Sequence, residues 1–286
     1  MKIITALIIN TTAALWVTGC GQSEESDSNA DANTQDKDAI IKELRTELLQ
    51  AKGRANITPS GPVALPNTDA LYQQLLRSNV EGIGKFYLGR QISHVMGHQA
   101  ARWLERPERE REEHTAEMIR SLKLQPGDQV ADIGVGTGYI ARHISKVIGP
   151  KGAVHGVDIQ PEMLALLAKK MEAAGIANVN GVLGTISDPK LPPNSMDLVI
   201  MVDVYHEFSH PYEMMAGIVK GLKVGGRIAF VEYRGEDPKV PIKRLHKMTE
   251  AQVKKEAALF PLKHVQTYKK LPWQHVVFFE KVKTTK

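Results

Sequence analysis

The chain has 286 residues, 42% of them apolar and 24% charged, values that exclude a mostly disordered or fibrous protein. Its 37 Lys and Arg against 32 Asp and Glu leave a net charge of +5, too small an excess to argue for nucleic acid. A single cysteine excludes an intramolecular disulfide framework and a Cys-rich zinc site, and no apolar run reaches the roughly 18 residues of a spanning helix.

Lys2 is followed by a mostly apolar run from Ile3 to Val17 and then by Thr18-Gly19-Cys20. One cation, an apolar stretch and small residues at its exit predict a secretory signal peptide over 1–19. The exit resembles the bacterial lipobox. That resemblance implies acylation of Cys20 and a membrane-anchored lipoprotein of the bacterial envelope. With Gly21 rather than Asp after the cysteine, it implies the outer membrane, facing the periplasm. Six acidic residues against Lys37 alone then make residues 20–38 an expected disordered tether. Ile41, Leu44, Leu48 and Ala51 recur at three and four, which predicts an amphipathic helix over 39–54. Pro59, Pro62 and Pro66 mark a linker over 55–66.

Residues 67–108 are expected to be a helical lid, with one pattern running through Gly89–Met96. A charged helix is expected over 108–123. From there the pattern alternates: strand 130–133, helix 139–148, strand 153–157, helix 161–174, strand 179–183, strand 197–202, helix 212–222 and strand 227–233. Two more strands, at 263–269 and 276–281, form an antiparallel hairpin around Leu271-Pro272-Trp273. Alternation of strands with helices of 10–15 residues predicts an α/β fold with a doubly wound, mostly parallel seven-stranded sheet.

Asp132-Ile133-Gly134-Val135-Gly136-Thr137-Gly138 falls between the first strand of that sheet and its helix. Glycines there let backbone amides approach an anionic group at a helix N-terminus, so a nucleotide-type ligand is expected. A dinucleotide loop, G-x-G-x-x-G, needs glycine at 139, and that residue is Tyr139. The D-x-G-x-G-x-G order instead resembles motif I of the class I S-adenosylmethionine-dependent methyltransferases. Asp158 closing the second strand, Asn194–Met201 and Leu222–Arg227 resemble the later motifs of that family, and the likeness spans about 110–282.

The resemblance implies a Rossmann-like methyltransferase domain over 109–286 that uses S-adenosylmethionine. Asp132 and the loop with Gly134, Gly136 and Gly138 would hold the methionine end, Asp158 the ribose hydroxyls, and the backbone at Thr185 and Ile186 the adenine. Asp203 would sit on the pocket floor. Many members carry an acidic residue where Thr185 stands, and Asp188 is the nearest replacement. Methyl transfer needs orientation of the acceptor more than any one side chain, so position is the guide. Residues after strands four and five, Tyr205, His206, Glu207, Tyr233 and Arg234, are therefore candidates, with His206 and Tyr205 foremost for catalysis. Arg234 and Lys243 are candidates for the acceptor, and Arg244, His246 and Lys247 follow in the same basic segment. The acceptor expected is an unidentified small molecule or envelope-associated compound, not nucleic acid.

His206-Glu207-Phe208-Ser209-His210 also matches the zinc metalloprotease signature H-E-x-x-H. That chemistry needs a continuous helix, and Pro211 pushes His210 out of the helical region. Glu232, the imaginable third ligand, falls inside strand five. His94 and His98 could share a helix face but have no third partner, and no metal site is expected. The cofactor is a cytoplasmic metabolite, whereas the signal exports the domain. A non-catalytic nucleoside-binding lipoprotein is therefore the alternative function.

Overall fold

The computed structural model describes residues 71–75 and 79–283. The expected signal peptide, Cys20, the acidic tether, the helix at 39–54 and the linker at 55–66 lie outside the described residues. No helix among the described residues is long and apolar enough to cross a membrane.

The first surprise is at the start. Where a helical lid was expected, residues 72–93 form a three-stranded antiparallel sheet: β1 (Tyr72–Gln74), β2 (Gly82–Tyr87) and β3 (Arg90–Ser93). Leu88 and Gly89 both take positive φ, 49° and 89°, the signature of a two-residue hairpin turn whose twist matches its strands. The strands are short and Gly84 stands inside β2, so their alternation is not expressed in the sequence. Helices appear only afterwards, as α1 (Ala101–Leu104), α2 (Arg109–Glu113) and α3 (Thr115–Ser121). The single helix expected over 108–123 is broken at His114, which stands at φ 50°.

The seven-stranded sheet is present as expected, with its antiparallel C-terminal hairpin. Its strands are β4 (Gln129–Ile133), β5 (Ala153–Asp158), β6 (Val179–Leu183), β7 (Met196–Val202), β8 (Leu222–Tyr233), β9 (Leu262–Tyr268) and β10 (Gln274–Lys281). They lie in the order β6-β5-β4-β7-β8-β10-β9. The pairs from β6 to β8 are parallel, and β10 runs antiparallel to both β8 and β9. Helices α4 (Tyr139–Ile148), α5 (Pro161–Ala173), α6 (Pro211–Gly221) and α7 (Glu250–Ala257) cover the faces.

Burial on both faces explains the near-continuous apolar runs of the inner strands. In β7, Leu198 and Ile200 enter a core with Ile140 and Ile144 of α4, while Val199 and Met201 enter a second core with Met214, Met215 and Ile218 of α6. The chain moves outward from β4 to β6 and then returns to β7 beside β4. That reversal opens a crevice at the carboxyl ends of β4 and β7, where an open sheet binds its ligand.

Candidate active site

The loop after β4 turns on three glycines at positive φ: Gly134 at 73°, Gly136 at 54° and Gly138 at 82°. Its first turn hangs from β5, since Gly134 and Val135 both donate their N–H to the Val157 carbonyl at 2.8 and 3.0 Å. A methyl group on Gly134 would come within 2.5 Å of Val204, and one on Gly136 within 2.5 Å of Leu104. Gly138 serves packing instead. It faces Leu167 of α5 and lies outside the cavity lining.

Asp158 points back at this loop. Its Oδ2 accepts the Gly136 N–H at 3.0 Å, and its Oδ1 accepts the Gln160 N–H at 2.9 Å. Burial raises its pKa against those two hydrogen bonds. The loop, Asp158 and the ends of β7 and β8 line a cavity of about 430 Å³, within the ~300–1,000 Å³ of small-molecule sites. Gly134, Gly136, Asp158, Ile186, Asp203, His206 and Lys243 line it together.

Thr185, Asp188, Tyr205 and Arg234 also lie away from the cavity. The Thr185 amide is spent on the Asp188 carbonyl at 2.9 Å, and Thr185 lies outside the cavity. Asp188 does not replace it, because its carboxylate holds the Lys190 amide and ammonium at 2.8 and 2.7 Å. Tyr205 is fully buried, its ring packed edge-on to Phe208 and Phe230, because it faces the second core rather than the crevice. Arg234 is a clip for the β9–β10 turn. Its guanidinium donates to the carbonyls of Leu271, Pro272 and Gln274, which leaves it no reach toward an acceptor.

Asp132 and Asp203 form the acidic end of the site. Asp132 is buried with Oδ2 unpaired, and burial pushes its pKa up to about 7, Arg109 opposing. It stands behind the residues that line the cavity. Asp203, at φ 51°, accepts from Gln274 at 2.5 Å through Oδ2 and leaves Oδ1 unpaired; burial carries its carboxyl well above the usual range. Beside them Glu113 accepts from Arg106, Arg109 and Tyr233.

The cover over the crevice was not legible in the sequence. Gln160 accepts the His98 N–H at 2.8 Å and donates to the Met96 carbonyl at 3.0 Å, pinning the segment after β3 across the site. Glu105 closes the other end, accepting from Thr137 at 2.6 Å and from Arg142 at 3.1 and 2.8 Å. Val95, Met96, Trp103, Leu104, Arg106 and Arg109 thereby become cavity wall. The one available signal for Gln160 was its place two residues beyond Asp158 and just before Pro161, at the start of α5.

His206 faces the cavity although it is 1% exposed. Its Nδ1 lies 2.6 Å from Glu232 Oε2 and its Nε2 3.1 Å from His246 Nδ1. Burial pushes Glu232 up to about 8 and Glu207 to about 7, and holds His206 and His246 down near 4. Both imidazoles are therefore neutral at pH 7. The H-E-x-x-H segment does not form the protease geometry. Tyr205–Glu207 is one 3-10 turn, Pro211 starts a separate helix, and His210 bonds Ser209 at 3.0 Å. His94 and His98 do not share a helix face either, since His94 follows β3 and His98 opens a short turn. Of the basic segment, Lys243 and His246 reach the cavity. Lys243 pairs with Glu81 at 3.2 Å, and Lys247 is spent on the carbonyls of Asp237 and Val240.

Residues 130–226 match the family described as "Methyltransferase domain". That stretch of the chain is a methyltransferase domain. Its fold resembles the S-adenosylmethionine-dependent methyltransferase of Aquifex aeolicus, with a TM-score of 0.63 at 21% identity, covering 66% of this chain and all of that one. In sequence the domain is 32% identical over 108 residues to the ubiquinone/menaquinone biosynthesis C-methyltransferase of Stutzerimonas stutzeri, covering 37% of this chain and 42% of that protein. It is 29% identical over 111 residues to the protein-L-isoaspartate O-methyltransferase of Ignicoccus hospitalis, covering 39% of this chain and 50% of that protein. The chain thus spans half or less of the length of these curated relatives.

The family's cofactor is S-adenosylmethionine, and the residues of the methyltransferase domain and its cover fit it. A zwitterionic amino acid end needs buried acceptors and cations, which Asp203, Arg106 and Arg109 provide at the cavity wall, Asp203 with one carboxylate oxygen still unpaired. A ribose diol needs a two-oxygen acceptor, and Asp158 stands at the opposite side of the glycine turn.

Proposed function

We propose that this chain is an S-adenosylmethionine-dependent methyltransferase acting on a small-molecule acceptor, held at the bacterial envelope through a lipid on Cys20. The observation that carries the reading is the 3.0 Å hydrogen bond from the Gly136 amide to Asp158, at the wall of the cavity. It puts the ribose acceptor and the glycine turn within one ligand's length. When bound, the cofactor supplies an electrophilic methyl carbon on a positive sulfonium. The protein orients the acceptor and excludes water.

Asp158 holds the sugar, while Asp203 and the carbonyls of the Gly134–Gly136 turn hold the amino acid end, with Asp132 behind them. Ile186, half exposed at the cavity rim, offers an apolar surface to the adenine. The pinned segment from Val95 to Arg106 keeps solvent from the reacting atoms. On the acceptor side the chain presents Lys243 and two neutral imidazoles, His206 and His246. A partly covered cavity of this size fits a small compound better than a polypeptide or nucleic acid.

Calorimetry with S-adenosylhomocysteine on the full chain tests the pocket, and transfer of a tritiated methyl group into envelope extracts tests the activity. Binding with transfer into a small molecule is expected. Binding without any transfer would make the chain a nucleoside-binding lipoprotein, and absence of binding would overturn both.

A further inference from the structure

Three groups that can ligate a metal converge on one side of the cavity. His206 Nε2, His246 Nδ1 and Glu207 Oε1 all lie within 4.8 Å of one another. The separations are 3.1 Å between the two nitrogens, 3.7 Å from Glu207 to His246 and 4.0 Å from Glu207 to His206. Ligands at ~2.0–2.1 Å from a tetrahedral ion stand roughly 3.3 Å apart, so these edges bracket the required triangle. The longest closes by a turn of the last Glu207 torsion, which is soft.

The surroundings are those of a metal site too. The carboxylate of Glu232 holds His206 Nδ1 at 2.6 Å, fixing the ring so that Nε2 faces its two neighbours. A carboxylate behind a ligating imidazole is the usual outer support of such a site. Glu207 accepts the Met96 N–H through Oε2 at 3.2 Å, and Oε1 takes no hydrogen bond. The backbone carbonyl of His206 is held by Arg90 at 3.0 Å.

Charge points the same way. Glu207 and Glu232 are both buried, and neither meets a Lys or Arg within 4.0 Å among the described residues. The nearby Arg90 is already paired with Glu256 at 2.8 and 3.1 Å. Ionising a buried carboxyl without a counter-ion is costly, and one divalent cation supplies the counter-charge for both once they give up their protons to it.

We infer that His206, His246 and Glu207 form a site for a divalent transition-metal ion of the zinc class, supported by Glu232 and open toward the cavity. Two imidazoles and one carboxylate select such an ion over magnesium or calcium, which prefer all-oxygen shells. Three protein ligands leave a position for a further ligand, as catalytic rather than structural sites do. All three ligands line the cavity, so that position faces the space shared with the glycine turn. An acceptor bearing a metal-binding oxygen can attach there; that last step alone rests on the methyltransferase reading. This is not the protease signature, because His210 takes no part and the third ligand comes from the turn at Arg244–His246.

The test uses the chelator-stripped full chain titrated with Co²⁺, followed by visible absorption and by competition with Zn²⁺. One equivalent should bind with the ligand-field band of a low-coordinate site, and Zn²⁺ should displace it stoichiometrically. His246→Gln and Glu207→Gln should each weaken binding at least about 100-fold. Glu232→Gln, which leaves the ligands intact, should cost roughly 10–100-fold. His210→Gln should bind as the parent chain does. Circular dichroism and S-adenosylhomocysteine binding in chelator report whether each variant is folded and whether the cofactor reading stands on its own. Absence of Co²⁺ binding by the folded parent chain overturns the inference. So does binding that survives His246→Gln and Glu207→Gln, or that is lost with His210→Gln.

Discussion

Asp158→Asn is the substitution from which most follows. The carboxylate has about four lone-pair positions. Two are taken by the amides of Gly136 and Gln160, which leaves two for a ribose diol. Hydrogen bonds to a charged group contribute ~1.5–3 kcal/mol each. Asparagine keeps one oxygen, loses the charge, and turns an NH2 toward one of the two amides. One ribose hydroxyl then loses its acceptor and the other loses charge assistance. Together these cost about 3 kcal/mol of binding, which is on the order of 100-fold in Kd. The full chain would be titrated calorimetrically with S-adenosylhomocysteine at pH 7.5, with a thermal melt to confirm folding. A folded Asp158→Asn chain that binds within about threefold of the parent would refute the ribose assignment and the geometry built on it.

Other outcomes follow from the same site. Asp132 carries a folded pKa of about 7 against an ordinary 3.8, so the folded state holds its proton longer than the unfolded one. Stability is therefore lost as pH rises from about 4 to 7, by on the order of 4 kcal/mol; Asp132→Asn should remove that loss, so its gain in Tm grows over this window and levels off above it, while cofactor affinity falls. A flat difference in Tm between pH 4 and 8 would count against the buried, unpaired carboxylate. Gly136→Ala puts a side chain at φ 54° and 2.5 Å from Leu104; a strain of roughly 1–2 kcal/mol and a displaced cover should weaken S-adenosylhomocysteine at least tenfold, and calorimetry with unchanged affinity would contradict it. Cys20→Ser should abolish incorporation of labelled palmitate and move the protein from the membrane to the soluble fraction; continued labelling would exclude this residue as the lipid site.

Much of the sheet was readable in the chain because local pattern and tertiary role coincide there. Tyr139–Ile148 and Val179–Leu183 have the bounds expected of them, since buried inner strands and amphipathic helices each write their period into a short window. The segment at 72–93 was misread for the opposite reason. Its strands are three to six residues long, and what holds them is distant: Tyr72 on Glu213, Lys85 on the Ser209 carbonyl, Arg90 on Glu256.

The sequence by itself determined that a nucleoside-like ligand meets the turn after β4, because glycine spacing and a strand-end aspartate act through backbone geometry that is local to the chain. Only the tertiary structure decided which side chains face that ligand. It withdrew Arg234 and Tyr205, which their neighbours satisfy, and Thr185, whose amide is already taken. It brought in Gln160, Glu105 and the cover that they pin. It also joined His206 to His246, 40 residues away, and to Glu232, 26 away. Such convergence depends on how turns at the ends of separate strands fold over one crevice, and no period or spacing along the chain records that distance.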